Sequence, residues 1–225
     1  MNLPDMAPSI DNSMLFDSIT NDIVDKGYSI SHYALPKELT ILLLQHITTL
    51  PKGNYKRAGI GRAEEHAISD FIRTDEISWI TSNSKATCAW IKWTTSLQNY
   101  LNRRLFLGLF SFESHFSHYT KGDFYKKHKD AFKGQDNRVV SVVVYLNKNW
   151  SVADGGELVI YENKLSTASV ADHSIATVTP SLGTIVVFLS EEFPHEVLPS
   201  ESDRYSIAGW FRLNNSITSK IDPPS

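Results

Sequence analysis

The chemical reading of this chain begins at a histidine and an aspartate one residue apart, His128-Lys129-Asp130. In an extended segment side chains alternate, so His128 and Asp130 project to one face and Lys129 to the other. An imidazole and a carboxylate converging on one point supply two of the three ligands of a facial two-histidine, one-carboxylate site. Such a site leaves positions open on iron. Alone the pair is a weak signal, because it arises on many surfaces. A third ligand has to come from another strand, and His195 in Phe193-Pro194-His195-Glu196-Val197 is the candidate. Pro194 fixes its own φ and biases Phe193 towards extended geometry, which stiffens the approach to the histidine. The chain has eight histidines, so a loop histidine in water is the competing reading. Nine residues further on, Arg204 opens the run Arg204-Tyr205-Ser206-Ile207-Ala208-Gly209-Trp210. In a strand, Arg204, Ser206, Ala208 and Trp210 share a face. A guanidinium pointing inward is costly unless it meets an anion, and its planar fork suits a carboxylate. The alternative is an ion pair with Asp203 or Glu196.

These residues need a scaffold, and the chain divides into a helical and a strand-rich part. The spacing of Leu15, Phe16, Ile19 and Ile23 predicts a helix from Met14 to Lys26, capped by Ser13 and stopped by Gly27. Pro36 suits the first turn of a second helix reaching about Leu50. A third helix is expected from about Ser84 to Leu105, with Trp90, Trp93, Leu97, Tyr100, Leu101 and Leu105 as its apolar stripe. Between the last two lies a polar stretch, Lys52 to Thr74, bearing Gly53, Gly59 and Gly61. Loops this long in a compact domain are often binding loops or lids; a surface insertion is the alternative.

From Phe110 the sequence turns β-branched and aromatic. Strands are predicted over Phe110 to Tyr119, Asn137 to Leu146, Glu157 to Tyr161, Ile175 to Thr179, Thr184 to Leu189 and Arg204 to Arg212. Turn signals such as Asp154-Gly155-Gly156 and Pro180-Ser181-Leu182-Gly183 separate them. Many short strands with such turns indicate a sandwich or barrel capped by the preceding helices. The expected layout is a helical support over residues 1–105 with a mobile loop around 52–70, a β core over 106–214, and a tail over 215–225.

Composition bounds the rest. A chain of 225 residues can bury roughly 70% of its unfolded surface, so no staple is needed. With 41% apolar and 21% charged residues its usage is that of an ordinary globular domain. A formal charge of -3 gives no general basic field, which argues against non-specific phosphate binding and against a nucleic-acid partner. The single cysteine, Cys88, forbids an intrachain disulfide and reads as a small buried apolar residue. MNLPDMAPSI lacks the features of a secretory signal, and Leu39 to Leu44 is too short to span a bilayer. A cytoplasmic monomer without membrane attachment is expected.

Taken together, His128-Lys129-Asp130, His195 and Arg204 resemble the signature of Fe(II)- and 2-oxoglutarate-dependent oxygenases. The resemblance is closest to prolyl hydroxylases, notably the oxygen-sensing enzymes acting on hypoxia-inducible factor and their bacterial relatives. It covers about Asp70 to Arg212, with Ile72-Arg73-Thr74-Asp75, Trp79-Ile80, Tyr145-Leu146-Asn147-Lys148-Asn149-Trp150, Gly155-Gly156-Glu157-Leu158, Pro194-His195-Glu196-Val197 and Arg204-Tyr205 in the family's order. It implies an α+β, mainly β fold: a double-stranded β-helix (jelly-roll or cupin-like) core with N-terminal helices on one sheet. It implies Fe(II) on His128, Asp130 and His195, with 2-oxoglutarate and O2 as co-substrates and ascorbate as a candidate reductant. No catalytic side chain beyond the iron ligands is expected.

Carried over by position, Arg204 and Tyr145 resemble the residues that hold the co-substrate's distal carboxylate, and Tyr119 a residue lining the site. Arg138 and Trp210 resemble the walls of a proline pocket. Arg73 and Asp75 match the strand edge beside the family's substrate-covering loop. The implied reaction hydroxylates a prolyl residue in a protein partner, a translation elongation factor among the candidates, releasing succinate and CO2. Two rivals are a same-fold oxygenase acting on a free amino acid or a nucleic-acid alkyl group, and a non-catalytic module binding 2-oxoglutarate or metal. Two features depart from the family: Ala208 replaces a hydroxyl-bearing residue, and the Tyr119–His128 loop is one residue shorter. Lys126, Lys127 and Lys129 make a basic rim.

Overall fold

Helix α1 (Ser13–Lys26) forms where the apolar spacing requires it, and it ends at Gly27, whose φ of 79° is left-handed. The Gly27 N–H closes on the Ile23 carbonyl at 3.0 Å. A side chain at Gly27 would meet the Phe193 ring at 2.8 Å, so the glycine also admits the residue two before His195. Ser13 lies inside the first turn and Asn12 takes the N-cap position, which corrects the expected cap. Helix α2 (Lys37–Thr49) follows Pro36. Helix α3 (Lys85–Leu105) is capped by Ser84, whose Oγ accepts from the Thr87 N–H at 3.1 Å while Thr87 Oγ1 accepts from the Ser84 N–H. Such a cap contributes about 1 kcal/mol. The structure is a computed structural model describing residues 12–59, 71–131, 137–163 and 173–214. Most of the proposed lid (60–70) and the tail from 215 onward lie outside the described residues.

Among the described residues eleven strands build two antiparallel sheets. They are β1 (Tyr28–Ser31), β2 (Lys56–Arg57), β3 (Glu76–Trp79), β4 (Ser111–Tyr119), β5 (Tyr125–His128), β6 (Arg138–Tyr145), β7 (Leu158–Tyr161), β8 (Ser174–Val178), β9 (Ile185–Leu189), β10 (His195–Val197) and β11 (Arg204–Arg212). The major sheet runs β1-β9-β6-β11-β4-β3-β2 and the minor sheet β5-β10-β7-β8. This is the double-stranded β-helix with its helical support. Five of these strands, β1, β2, β3, β5 and β10, are not among the six predicted ranges, and each is four residues or shorter.

Alternation along the major sheet makes two cores. Phe116, Val140, Val142, Val144, Ile185, Val187, Ile207 and Phe211 pack against Phe16, Ile19, Leu43, Trp90, Trp93, Leu97 and Leu101 of the helices. Fully burying each such side chain contributes about 1.5–3 kcal/mol. On the opposite face, Tyr119, Tyr145, Val186 and Phe188 meet Leu158, Ile160, Val178 and Val197 of the minor sheet. Cys88 falls off the buried stripe of α3 and is exposed, so the expectation of a buried cysteine is overturned. Among the described residues no helix is long and apolar enough to cross a membrane.

Candidate metal centre and co-substrate pocket

The two histidines meet because their strands pair: His195 of β10 lies directly opposite His128 of β5. Their ring centroids are 4.3 Å apart. Asp130 sits in the bend after β5, not in the strand, so strand alternation alone does not place it. It still converges, with Oδ1 3.6 Å from His128 Nε2 and Oδ2 3.7 Å from His195 Nε2. Those separations leave the facing atoms apart rather than hydrogen-bonded. One ligand atom from each residue lies within 4.8 Å of the others, the single such group among the described residues.

The tautomers are fixed by what faces the other ring nitrogen. His128 Nδ1 lies 2.8 Å from the Lys126 carbonyl, and His195 Nδ1 lies 3.0 Å from the Phe193 carbonyl. A carbonyl only accepts, so each Nδ1 carries the hydrogen and each Nε2 offers a lone pair to the centre. Burial pushes His195 down to about 4, which keeps it neutral as a ligand must be. Burial opposes ionisation of Asp130, yet His195, His128 and the Ser141 hydroxyl together hold its carboxyl well below the usual range. Two imidazole Nε2 atoms and one carboxylate fit a divalent iron ion with open positions.

Arg204 is 1% exposed, and neither rival partner takes it. Asp203 bonds His118 at 3.1 Å, and Glu196 accepts from the Tyr161 hydroxyl. Arg204 Nε instead donates to the Gly156 carbonyl at 2.8 Å and Nη1 to Ser206 Oγ at 3.2 Å. Gly156 has φ 68°, and a Cβ there would come within 2.8 Å of Arg204 Cδ, so only glycine lets the arginine pass. The guanidinium carbon lies 4.8 Å from the Tyr119 ring centroid and 5.1 Å from that of Tyr145. The Tyr145 hydroxyl is buried with no acceptor among the described residues. Burial pushes it up to about 12, so it keeps its proton and can donate. A buried cation that faces no carboxylate among the described residues, beside an unused hydroxyl donor, fits the distal carboxylate of 2-oxoglutarate.

Arg138 and Trp210 are together, the guanidinium carbon 3.7 Å from the indole centroid. A bulge where β6 pairs with the end of β11 turns Arg138 to the Trp210 side. Glu113 Oε1 accepts from Arg138 Nε and Nη2 at 3.0 and 2.7 Å. Arg73 and Asp75 form a buried two-point pair at 2.8 and 2.7 Å. Arg73 lies over the Tyr125 ring at 4.3 Å, and Tyr125 in turn stacks on His128. This pair therefore braces His128 from behind.

Sequence reasoning missed Glu113, Tyr125, Ser141 and His115. His115 is 3% exposed, lies between the Trp79 and Trp210 rings, and pairs across strands with Ala208. The available signal was the two-residue period of β4, which puts Glu113, His115, Ser117 and Tyr119 on one face with the site.

Residues 114–212 match the 2OG-Fe(II) oxygenase superfamily. Human prolyl hydroxylase EGLN3 is 30% identical over 166 residues, 69% of this chain and 62% of that protein. The chain thus spans less than two thirds of the length of this curated relative. A prolyl-4-hydroxylase of known structure from Pseudomonas putida is 34% identical with a TM-score of 0.75, over 89% of this chain and 100% of that one. A prolyl hydroxylase from Trichoplax adhaerens, solved in complex with a hypoxia inducible factor oxygen degradation domain peptide fragment, is 26% identical with a TM-score of 0.75. That match covers 89% of this chain and 90% of the other. Similarity at this level over the full length of the Pseudomonas structure settles membership: the chain belongs to the prolyl hydroxylase family of iron(II)- and 2-oxoglutarate-dependent oxygenases.

Proposed function

We propose that the chain hydroxylates a prolyl residue in a protein substrate while 2-oxoglutarate is cleaved to succinate and CO2. One oxygen atom of O2 enters succinate and the other the new hydroxyl. His128, Asp130 and His195 would hold iron, which when bound supplies O2 activation. The protein's own residues do the positioning. The Nδ1 bonds to Lys126 and Phe193 carbonyls aim both imidazoles. Arg204 and Tyr145 receive the co-substrate's distal carboxylate. Phe188, packed at 4.8 Å from His195, helps keep water from the centre.

The observation that carries this reading is the pairing of the arginines. Four arginines are largely buried around the cleft, and Arg73, Arg138 and Arg212 each face a carboxylate, from Asp75 or Glu113. Arg204 alone faces none among the described residues. The site therefore accommodates one carboxylate ligand, beside a charge-compensated aromatic wall of Trp79, His115, Trp210 and Arg138. That wall suits an uncharged ring held within a peptide. A free amino acid would bring two more charges needing partners, and a nucleic acid a phosphate backbone. The peptide-bound Trichoplax relative supports the same direction.

The test is mass spectrometry of lysate proteins incubated with enzyme, iron(II), 2-oxoglutarate and O2. A gain of one oxygen on proline is the expected product, with a translation elongation factor the first candidate substrate. Oxygen appearing on another residue type, or turnover stimulated only by a free amino acid, would replace this reading by the same-fold alternative.

A further inference from the structure

Asp130 lies outside any strand, so no backbone ladder holds it. One side chain ties it to the major sheet instead. Ser141 Oγ is 2.7 Å from Asp130 Oδ2 and 2.9 Å from Ser190 Oγ. Ser141 is 1% exposed and Ser190 0%. Ser141 stands at the middle of the sheet, opposite Phe188 on one side and Trp210 on the other. Ser190 follows β9, and its N–H donates to the Val139 carbonyl at 3.0 Å. Both serines therefore belong to the rigid floor, while the ligand they reach belongs to a bend.

The direction of this chain of hydrogen bonds follows from counting hydrogens. An ionised carboxylate only accepts, so the Ser141 hydrogen must go to Asp130 Oδ2. Ser141 then has only lone pairs left for Ser190, and Ser190 must be the donor between them. We propose that Ser190 and Ser141 are positioning residues for the metal ligand. Their relay, Ser190 to Ser141 to Asp130, fixes the carboxylate through Oδ2 so that its oxygens face the two imidazole Nε2 atoms as one donor set. Partners of this kind orient ligands, and their loss commonly costs 10- to 100-fold in metal affinity. The competing account is that the two buried hydroxyls merely satisfy each other and the carboxylate, contributing to stability alone.

The experiment is anaerobic calorimetric titration of the full chain with Fe(II) alone, alongside thermal unfolding of the metal-free protein. Thr and Val have the same shape at position 141, and only Thr keeps the hydroxyl. Ser141→Val is expected to weaken Fe(II) binding about 10- to 100-fold, and Ser141→Thr to bind within about threefold of wild type. Ser190→Ala, which leaves the bond to Asp130 in place, should weaken binding about two- to tenfold. Equal Fe(II) affinity of the Thr and Val variants, whatever their melting temperatures, would overturn the relay. Asp130→Ala serves as the reference for the iron assignment itself. Its retention of wild-type Fe(II) affinity would move the failure from the relay to the metal site.

Discussion

On β6 and β11 consecutive residues alternate between two environments. Val140, Val142, Val144, Ile207 and Phe211 face the helices as part of one hydrophobic cluster. Ser141, Tyr145, Arg204, Ser206 and Trp210 face the minor sheet, where most polar atoms have a named partner or an unused donor. The first face is held by area and volume, which many apolar side chains could supply. The second is held by directed contacts, each specific to one atom. One ribbon of chain thus carries stability on one side and chemistry on the other, and substitutions should separate the two.

The sharpest break is at the metal ligand. Asp130→Ala should reduce 2-oxoglutarate turnover to background while the fold survives, because the open site contributes little to either core. Wild-type-like succinate production by folded protein would remove Asp130 from the site. Next comes Arg204→Ala, which leaves a bound carboxylate without its partner, a loss of about 3–5 kcal/mol. That is two to four decades in 2-oxoglutarate affinity, measurable by anaerobic calorimetry with metal bound. A shift under about fivefold would mean that another group anchors the co-substrate.

Phe211→Ala makes the counterpart on the helix-facing side, with a loss of similar size and the opposite readout. Removing this fully buried ring should lower unfolding free energy by about 3–5 kcal/mol. Fe(II) affinity of the molecules that remain folded should stay near wild type. If denaturant midpoint and metal affinity fall together, the two faces are coupled and the separation fails.

How far the sequence alone reached follows the same division. The helices and six of the strands, β4, β6, β7, β8, β9 and β11, were legible because apolar spacing at 3.6 or 2 residues records a face turned to a core. The metal ligands and Arg204 were legible because few side chains can do that chemistry, and their order along the chain resembles a family. Short β1 and β10 left too few residues for a period to register. The roles of Ser141, Glu113 and His115 depend on partners 11 to 99 residues away along the chain, such as Asp130 and Arg212. No local pattern records those distances. Asp130 itself was placed for an insufficient reason: strand alternation suggested it, whereas a bend and Ser141 position it.

His115 offers the smallest and most specific test of the site-facing side, through pH. Its imidazole is pushed down to about 4, first by burial and then by the Arg73 charge, with Asp75 pulling the other way and Arg138 reinforcing the fall. A histidine in the unfolded chain binds its proton near 6.5. As pH falls through 6.5 the unfolded state therefore takes up a proton that the folded state refuses, and stability drops. The loss continues until the folded pKa near 4, below which both states are protonated and the slope vanishes. One group supplies at most about 1.4 kcal/mol per pH unit, so His115 accounts for about 3 kcal/mol across this window. His195, lowered to about 4 in the same direction, adds a second contribution to the wild-type acid limb. His46, lowered by its burial, contributes to both proteins, so urea unfolding of metal-free protein at pH 6.5, 5.5 and 4.5 should show a slope smaller by up to about one proton for His115→Gln than for wild type. An unchanged slope in the variant would mean that the imidazole between Trp79 and Trp210 is protonated in the folded state. The aromatic wall beside the metal would then carry a charge, and the argument for an uncharged substrate ring would fail with it.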